Sequence, residues 1–283
     1  MKSVLVILNY NDGKNTCALA KKVKSFPSLS HILLVDNCST DQSLSFMKSL
    51  EKGKIKVLSS PENGGYAKGN NLGIFYAIDH YHPDYIFVAN PDIQVSQASF
   101  VKILQSMEAH PEYGILSCMV KKGYNVWNLP SFIGVIESLF LIWFNLDKRR
   151  IRKKLLSSSK DIEEVGVVEG SFFCIRTEAF KKIKGLDERT FLYGEEIILS
   201  KRLKKGGYKV GVLPHSFYEH FHSVSIRKTY GSKAKAFSHF YDSFVLYNRE
   251  YLHTNKIQDF VFYIAYRLAY FERILYDWIM KKR

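Results

Sequence analysis

The sequence predicts an α/β fold: a mostly parallel central sheet flanked by helices, followed by a C-terminal helical appendage. Three observations carry that expectation. Short apolar runs of the buried-strand type alternate with amphipathic helical stretches. Polar clusters rich in Asn, Asp and Gly close those runs. From about residue 226 the alternation gives way to helical sequence rich in Tyr, Phe, Lys and Arg.

The elements follow in order. Val4–Leu8 is a buried-type strand, and the next helix sets Ala18, Leu19 and Val23 on one face. His31–Val35 is a second strand, and Ser39-Thr40-Asp41-Gln42 reads as a capping box for a helix through Leu50. Ile55–Leu58, a glycine-rich turn, a helix over about 66–79 and the strand Tyr85–Ala89 come next. A helix runs through Phe100–Met107, and Ile115–Val120 is strand-like. Residues 121–165 break the rhythm with the apolar stretch Phe132–Leu146, then Lys148-Arg149-Arg150-Ile151-Arg152-Lys153-Lys154. The alternation resumes with a strand over Val165–Ile175, a helix at Glu178–Ile183 and a strand at Lys209–Leu213. Residues 1–225 read as one α/β unit with 121–165 inserted, and 226–283 as basic, aromatic helices.

Composition narrows the function. With 46% hydrophobic and 24% charged residues, the 283-residue chain has the make-up of a globular protein. Cys17, Cys38, Cys118 and Cys174 are widely spaced, which fits a reducing cytosol and neither a zinc ribbon nor a disulfide framework. The N-terminus turns polar too soon for a signal peptide, and no run of eighteen apolar residues predicts a membrane-crossing helix. The net charge of +14 is uneven: residues 1–92 carry +2, 93–145 are neutral, and 146–283 carry +12. A neutral front and a basic back predict that the back meets an anionic surface. Nucleic acid is not the expected partner, because its recognition motifs are missing and acidic groups gather at the strand ends.

In parallel sheets ligands bind beyond the carboxyl ends of the strands. Those ends hold Asn9, Tyr10, Asn11 and Asp12, then Asp36, Asn37, Ser39 and Asp41, then Asn63, Gly64 and Gly65, then Asn90, Pro91 and Asp92. Four such clusters in succession are more than turns require. The stretch Asn63-Gly64-Gly65-Tyr66-Ala67-Lys68-Gly69-Asn70-Asn71 is neither a P-loop nor a dinucleotide fingerprint, yet its glycines allow a ligand close to the backbone. Asp92 is placed to ligate Mg²⁺ or Mn²⁺. His220 and His222 fall on one side of an extended segment after the last strand. Asp187, Glu188, Glu195 and Glu196 bracket the apolar turn Phe191-Leu192-Tyr193-Gly194, and the second pair opens a helix. A carboxylate there is partly desolvated and so a stronger base, although the helix dipole opposes that shift.

Taken together, Ile7-Leu8-Asn9-Tyr10-Asn11, Val35 through Asp41, Asn63 through Asn71, Asn90-Pro91-Asp92, Gly170-Ser171-Phe172-Phe173, Leu186-Asp187-Glu188, Glu195-Glu196 and Arg202 resemble glycosyltransferase family 2. The likeness spans roughly residues 3–225 and is to its rhamnosyl- and galactofuranosyltransferase-like branch. It implies a Rossmann-like GT-A fold, a UDP- or dTDP-sugar donor, a divalent metal (Mn²⁺ or Mg²⁺) and inversion at the anomeric carbon. It assigns Asp36 to the nucleobase with Asn9 and Asp41 nearby. The loop bearing Asn63, Gly64, Gly65, Lys68 and Asn70 would close over the nucleotide, with Asn90 beside it. Asp92 and His220 would hold the metal. The base would be Glu196, with Glu195 open as an alternative, and Asp187, Glu188, Tyr193 and Arg202 would face the acceptor.

Two departures stand out. Asn90 replaces the first Asp of the family's metal motif, and glutamate replaces aspartate as the base. The resemblance implies transfer to a hydroxyl of a lipid-pyrophosphate-linked bacterial surface glycan, on the cytoplasmic face of the membrane. The two departures leave open a catalytically weakened sugar-nucleotide-binding subunit. The C-terminal helices are expected to meet an anionic membrane or a second copy of the chain.

Overall fold

The structure, a computed structural model, describes residues 1–221 and 233–281; His222, Lys282 and Arg283 lie outside the described residues. Its frame is a nine-stranded sheet. Strands β1 (Ser3–Asn9), β2 (His31–Asp36), β3 (Ile55–Ser59) and β4 (Tyr85–Ala89) pair in parallel in the order β3-β2-β1-β4. Their crossovers are helices α1 (Gly13–Val23), α2 (Ser43–Lys48) and α3 (Gly65–Tyr81). The central strands β1 and β4 are apolar and buried almost throughout, as a sheet covered on both faces demands.

Beyond β4 come β5 (Ile93–Val95), α4 (Gln97–Ala109), β6 (Tyr113–Val120) and the short β7 (Val126–Trp127). The 121–165 region then builds α5 (Phe132–Leu139) and α6 (Leu141–Leu156). Next are β8 (Glu163–Val165), β9 (Val167–Val168), β10 (Phe172–Arg176), α7 (Thr177–Lys182), α8 (Glu195–Lys205) and β11 (Lys209–His220). The chain ends in α9 (Lys233–Leu246), a π-helical turn at Tyr247–Tyr251, and α10 (Lys256–Lys281).

Period-two alternation feeds two cores. Leu5 and Ile7 of β1 join Leu34, Phe87 and Phe100 on one face, while Val4 and Val6 join Leu33, Val35 and Ile74 on the other. Each fully buried aliphatic or aromatic side chain contributes roughly 1.5–3 kcal/mol. A third core binds the C-terminal helices to the rest: Val135, Leu139 and Ile198 pack with Phe237, Phe244, Phe262 and Ala269.

Several expectations shift. Strand β10 runs antiparallel between β4 and β6, and β5 and β8 pair antiparallel with β11, so the sheet is mixed beyond β4. Strand β5 has no forecast, because three residues carry too little pattern. The Val165–Ile175 strand is three pieces, broken at Gly166 and at the Glu169-Gly170-Ser171 turn. The last strand runs on to His220, passing Pro214 by an irregularity in register between Leu213 and Phe217. Helix α2 starts at Ser43 rather than through a capping box, with Asp41 Oδ1 accepting the Ser43 amide at 2.9 Å.

Candidate active site

The parallel half of the sheet presents its carboxyl ends along one edge, and the side chains there hold one another in place. Asn9, fully buried, donates to Asp36 Oδ1 at 2.9 Å and to Ser39 Oγ at 3.0 Å. Its carbonyl accepts from Thr16 Oγ1 at 2.8 Å, and the Ser39 amide donates to Asp36 Oδ2 at 3.0 Å. Asp36 is thereby fixed in one orientation at the end of β2. Asp41 lies farther out, exposed beside α2.

The glycine-rich loop divides its labour. Asn37 Nδ2 donates to Asn63 Oδ1 at 2.8 Å and to the Gly65 carbonyl at 3.1 Å. Gly64 caps α3, and Gly65 opens it at φ +80°, where a Cβ would stand 2.2 Å from the Phe191 carbonyl oxygen. Only glycine fits that combination. Tyr66 N donates to the same Phe191 oxygen at 2.9 Å, so this loop rests on the apolar turn before α8. Lys68 pairs with exposed Glu62. Asn70, buried, bonds back to the Tyr66 carbonyl at 3.0 Å. Asn71 clamps both backbone groups of Leu186 and donates to Glu188 Oε1 at 2.9 Å.

Pairing of β5 with β11 sets His220 opposite Ile93, which brings His220 beside Asp92. The Asp92 Oδ1 to His220 Nε2 distance is 3.2 Å, and Glu169 Oε2 lies 3.5 Å from Nδ1. Burial works against charge on this imidazole, but the two flanking carboxylates outweigh it and raise its pKa to about 9. Asn90 stands next to them, its amide bonded to the Ser171 carbonyl at 2.8 Å. One carboxylate oxygen and one imidazole nitrogen, convergent and nearly buried, suit Mn²⁺ or Mg²⁺ as part of a shell. No group of three His, Cys, Asp or Glu among the described residues forms a complete metal cage.

Glu195 and Glu196 form the first turn of α8, entered through a turn with Tyr193 at φ 66° and Gly194 at φ 85°. Burial pushes the Glu196 carboxyl up to about 7. Backbone donors, the Gly170 amide among them at 3.2 Å, pull the other way, and Glu169 adds to the rise. Gly170 is pinned from both sides, because its carbonyl accepts the Tyr66 hydroxyl and a Cβ there would meet that hydroxyl at 2.7 Å. Glu195 is buried deeper. Burial and then Glu196 raise its pKa well above the carboxylate range, and its Oε2 has no hydrogen-bond partner among the described residues.

The other acidic residues are engaged structurally. Asp187 accepts two bonds from the Arg189 guanidinium and one from the Tyr251 hydroxyl at 2.6 Å. Burial resists, but these donors hold its pKa down to about 2. Arg202 donates to the Gly185 carbonyl at 2.9 Å, and Tyr193 lies with its ring 6.3 Å from that of Phe240.

Sequence reading missed Glu169, Tyr66, Tyr124 and Lys148. Glu169 was within reach as the acid immediately before Gly170. Lys148 on α6 carries no such signal; it stands 3.8 Å over the Tyr124 ring, and burial lowers it to about 8 while Glu169 partly restores it.

The pattern of the family described as glycosyl transferase family 2 matches residues 4–184. The chain belongs to that family. It is 24% identical over 210 residues to the low-salt glycan biosynthesis hexosyltransferase Agl10 of Haloferax volcanii, covering 73% of this chain and 63% of that one. It is 28% identical over 193 residues to the N-acetylglucosaminyl-diphospho-decaprenol L-rhamnosyltransferase of Mycobacterium tuberculosis, covering 62% of each. The chain therefore spans just under two thirds of these relatives. Among solved structures, GalNAc-T7 with UDP, GalNAc and Mn²⁺ aligns with a TM-score of 0.60 at 14% identity, over 80% of this chain and 44% of that one. The mannosyltransferase PcManGT from Pyrobaculum calidifontis, with GDP-Man and Mn²⁺, gives 0.58 at 13% identity over 94% and 72%. The likeness establishes the GT-A fold.

Proposed function

We propose that this family 2 chain is an inverting, metal-assisted glycosyltransferase that moves a sugar, rhamnose foremost, from a UDP- or dTDP-sugar to a hydroxyl of a growing lipid-linked bacterial surface polysaccharide. The observation that carries the reading is Glu196: a carboxyl raised to about 7, held by the Gly170 amide and with Tyr66 beside it. A base poised near the working pH is what abstraction of a hydroxyl proton requires. The Mycobacterium tuberculosis relative, an N-acetylglucosaminyl-diphospho-decaprenol L-rhamnosyltransferase, supports the choice of sugar and of a lipid-linked acceptor.

Asp36, locked by Asn9 and the Ser39 amide, presents a carboxylate edge to the N–H of a pyrimidine. Gly64 and Gly65 let the diphosphate approach the backbone at the start of α3, where the positive end of the helix dipole favours an anion. Asp92 and His220 would hold Mn²⁺ or Mg²⁺, with Asn90 alongside and donor phosphates completing the shell. Bound there, the cation supplies offsetting charge to the leaving diphosphate. Glu196 takes the acceptor proton as that oxygen attacks the anomeric carbon from the face opposite the diphosphate, which inverts the centre. Glu195, the neighbouring carboxyl, is buried deeper, and that burial and Glu196 push its pKa upward. The protein works peripherally on the inner face of the membrane.

The test is thermal stabilisation by a panel of UDP- and dTDP-sugars, each with and without Mn²⁺. Ligands that bind only the folded state raise the melting temperature by mass action. A rise that needs both one nucleotide sugar and the metal is expected, and it names the donor. No rise with any nucleotide overturns the reading. A rise without release of nucleoside diphosphate in the presence of acceptor lipid points instead to a sugar-nucleotide-binding subunit.

A further inference from the structure

Helix α10 is apolar on two sides. Its inner side, with Phe262, Ala265 and Ala269, is buried in the third core. Its outer side exposes Ile257, Phe260, Ile264, Leu268, Phe271 and Trp278, with Ile257 75% and Trp278 56% accessible. These recur at spacings of three, four and seven, so they form one stripe along about 32 Å of helix.

The charges on α10 are sorted as sharply. Its acids are drawn inward: Asp259 binds Arg249 and Thr254, Glu272 accepts the Leu141 amide and pairs with Arg273, and Asp277 is half-buried with its Oδ2 shielded from water. Among the described side chains of α10, the charged residues left exposed are two cations, Lys256 and Arg267.

The Leu141–Glu272 bond, at 3.2 Å, sets the start of α6 beside α10. From there α6 exposes Trp143 and Leu146, then Arg149, Arg150, Lys153 and Lys154 farther along. Aromatic and aliphatic side chains are thus followed by a cluster of cations.

We propose that the outer faces of α6 and α10 form one surface that docks on an anionic lipid bilayer, lying along it. The partner follows from charge. A two-fold contact with another copy would set a carboxylate-poor, cationic stripe against itself, without complementary charge. A bilayer supplies what both helices ask for: acyl chains for Phe260, Leu268 and Phe271, the headgroup region for Trp143 and Trp278, and anionic lipid for Arg149, Arg150 and Arg267. None of the helices among the described residues is long and apolar enough to cross a membrane.

Helix α6 ties this surface to the active site. Lys148, one residue before Arg149, turns inward over Tyr124 and interacts with Glu169. The inference rests on the membrane-facing part of the proposed function and names the surface and partner that would serve it.

Flotation of the full chain with vesicles of phosphatidylcholine, alone or with phosphatidylglycerol, tests it. Retention on the anionic vesicles is expected, with Trp143→Ser/Phe271→Ser abolishing it. Arg149→Ser/Arg150→Ser is expected to weaken it on the order of tenfold and to remove the preference for phosphatidylglycerol. Every variant should keep the nucleotide-sugar thermal shift, which separates a failure of docking from a failure of the transferase reading. Lack of retention of the unaltered chain on either vesicle overturns the proposal. So does a chain that sediments as a dimer and turns monomeric in Trp143→Ser/Phe271→Ser while vesicle retention is unchanged.

Discussion

The two sides of the candidate active site are built on opposite principles. On the side of β1 and β2, the polar side chains mostly match one another: Asn9 uses its amide and its carbonyl, Asp36 receives a side-chain and a backbone donor, and only the Asn37 Oδ1 among these strand-end groups is left over. On the side of α8, charge is left poorly compensated. Glu195 and Glu196 sit side by side with raised pKa values, Glu195 Oε2 lacks a partner among the described residues, and the turn leading in carries two left-handed residues. A satisfied network is rigid and suits recognition, whereas under-compensated carboxylates hold free energy that a reaction can release. The difference teaches where this fold would bind and where it would react.

The comparison breaks most visibly at Glu196. Glu196→Gln should lower transfer by about 10²–10⁴-fold while the donor-induced thermal shift persists. Initial rates of the unaltered protein should rise with pH through about 7, because the base must be ionised. Stability runs the other way. With the folded pKa raised from 4.5 to about 7, the folded state keeps a proton that the unfolded chain has lost. The contribution is complete below about 4.5 and disappears as pH rises through about 7. Glu196→Gln should therefore melt higher than the unaltered protein at pH 8 in calorimetry, and a lower melting point there would remove the strain from this side.

A smaller effect is expected where the two sides touch. Gly65→Ala places a Cβ against the Phe191 carbonyl and forces a left-handed alanine, which costs roughly 1–2 kcal/mol for the backbone alone. Because Gly65 and Phe191 belong to different sides, donor binding and transfer should both weaken, as nucleotide titration and a rate assay would show. Equal donor affinity in the variant would mean that the loops do not depend on each other. Smallest is Tyr251→Phe, which removes one of four hydrogen bonds to Asp187 and should cost about 1 kcal/mol in chemical denaturation. Transfer should be unchanged at temperatures where the variant stays folded.

The satisfied side was the legible one. Asn9, Asp36, Asn63 and Asn90 follow consecutive strands whose apolar runs announce themselves, so local pattern alone placed them on one edge. The acidic pair was legible as a helix start, and α8 does open at Glu195. What stayed hidden depends on partners distant in the chain. The insertion of β10 between β4 and β6, the pairing of β5 with β11 and the meeting of Gly65 with Phe191 are set by tertiary register, which no window of sequence encodes. Lys148 was hidden for another reason: in a run of six cations, nothing marks which one turns over the Tyr124 ring.

The two-sided α10 has a practical consequence at the bench. A chain that keeps Phe260, Leu268, Phe271 and Trp278 in water after folding behaves as a surfactant as much as a globule. Its state in solution is then set by the amphiphile present as well as by temperature or salt. Mild detergent should cover the stripe and yield a monodisperse preparation. Shortening the chain before Lys256 to cure that behaviour would also strip Phe262, Ala265 and Ala269 from the third core. The gain in solubility would come with a loosened floor beneath α8.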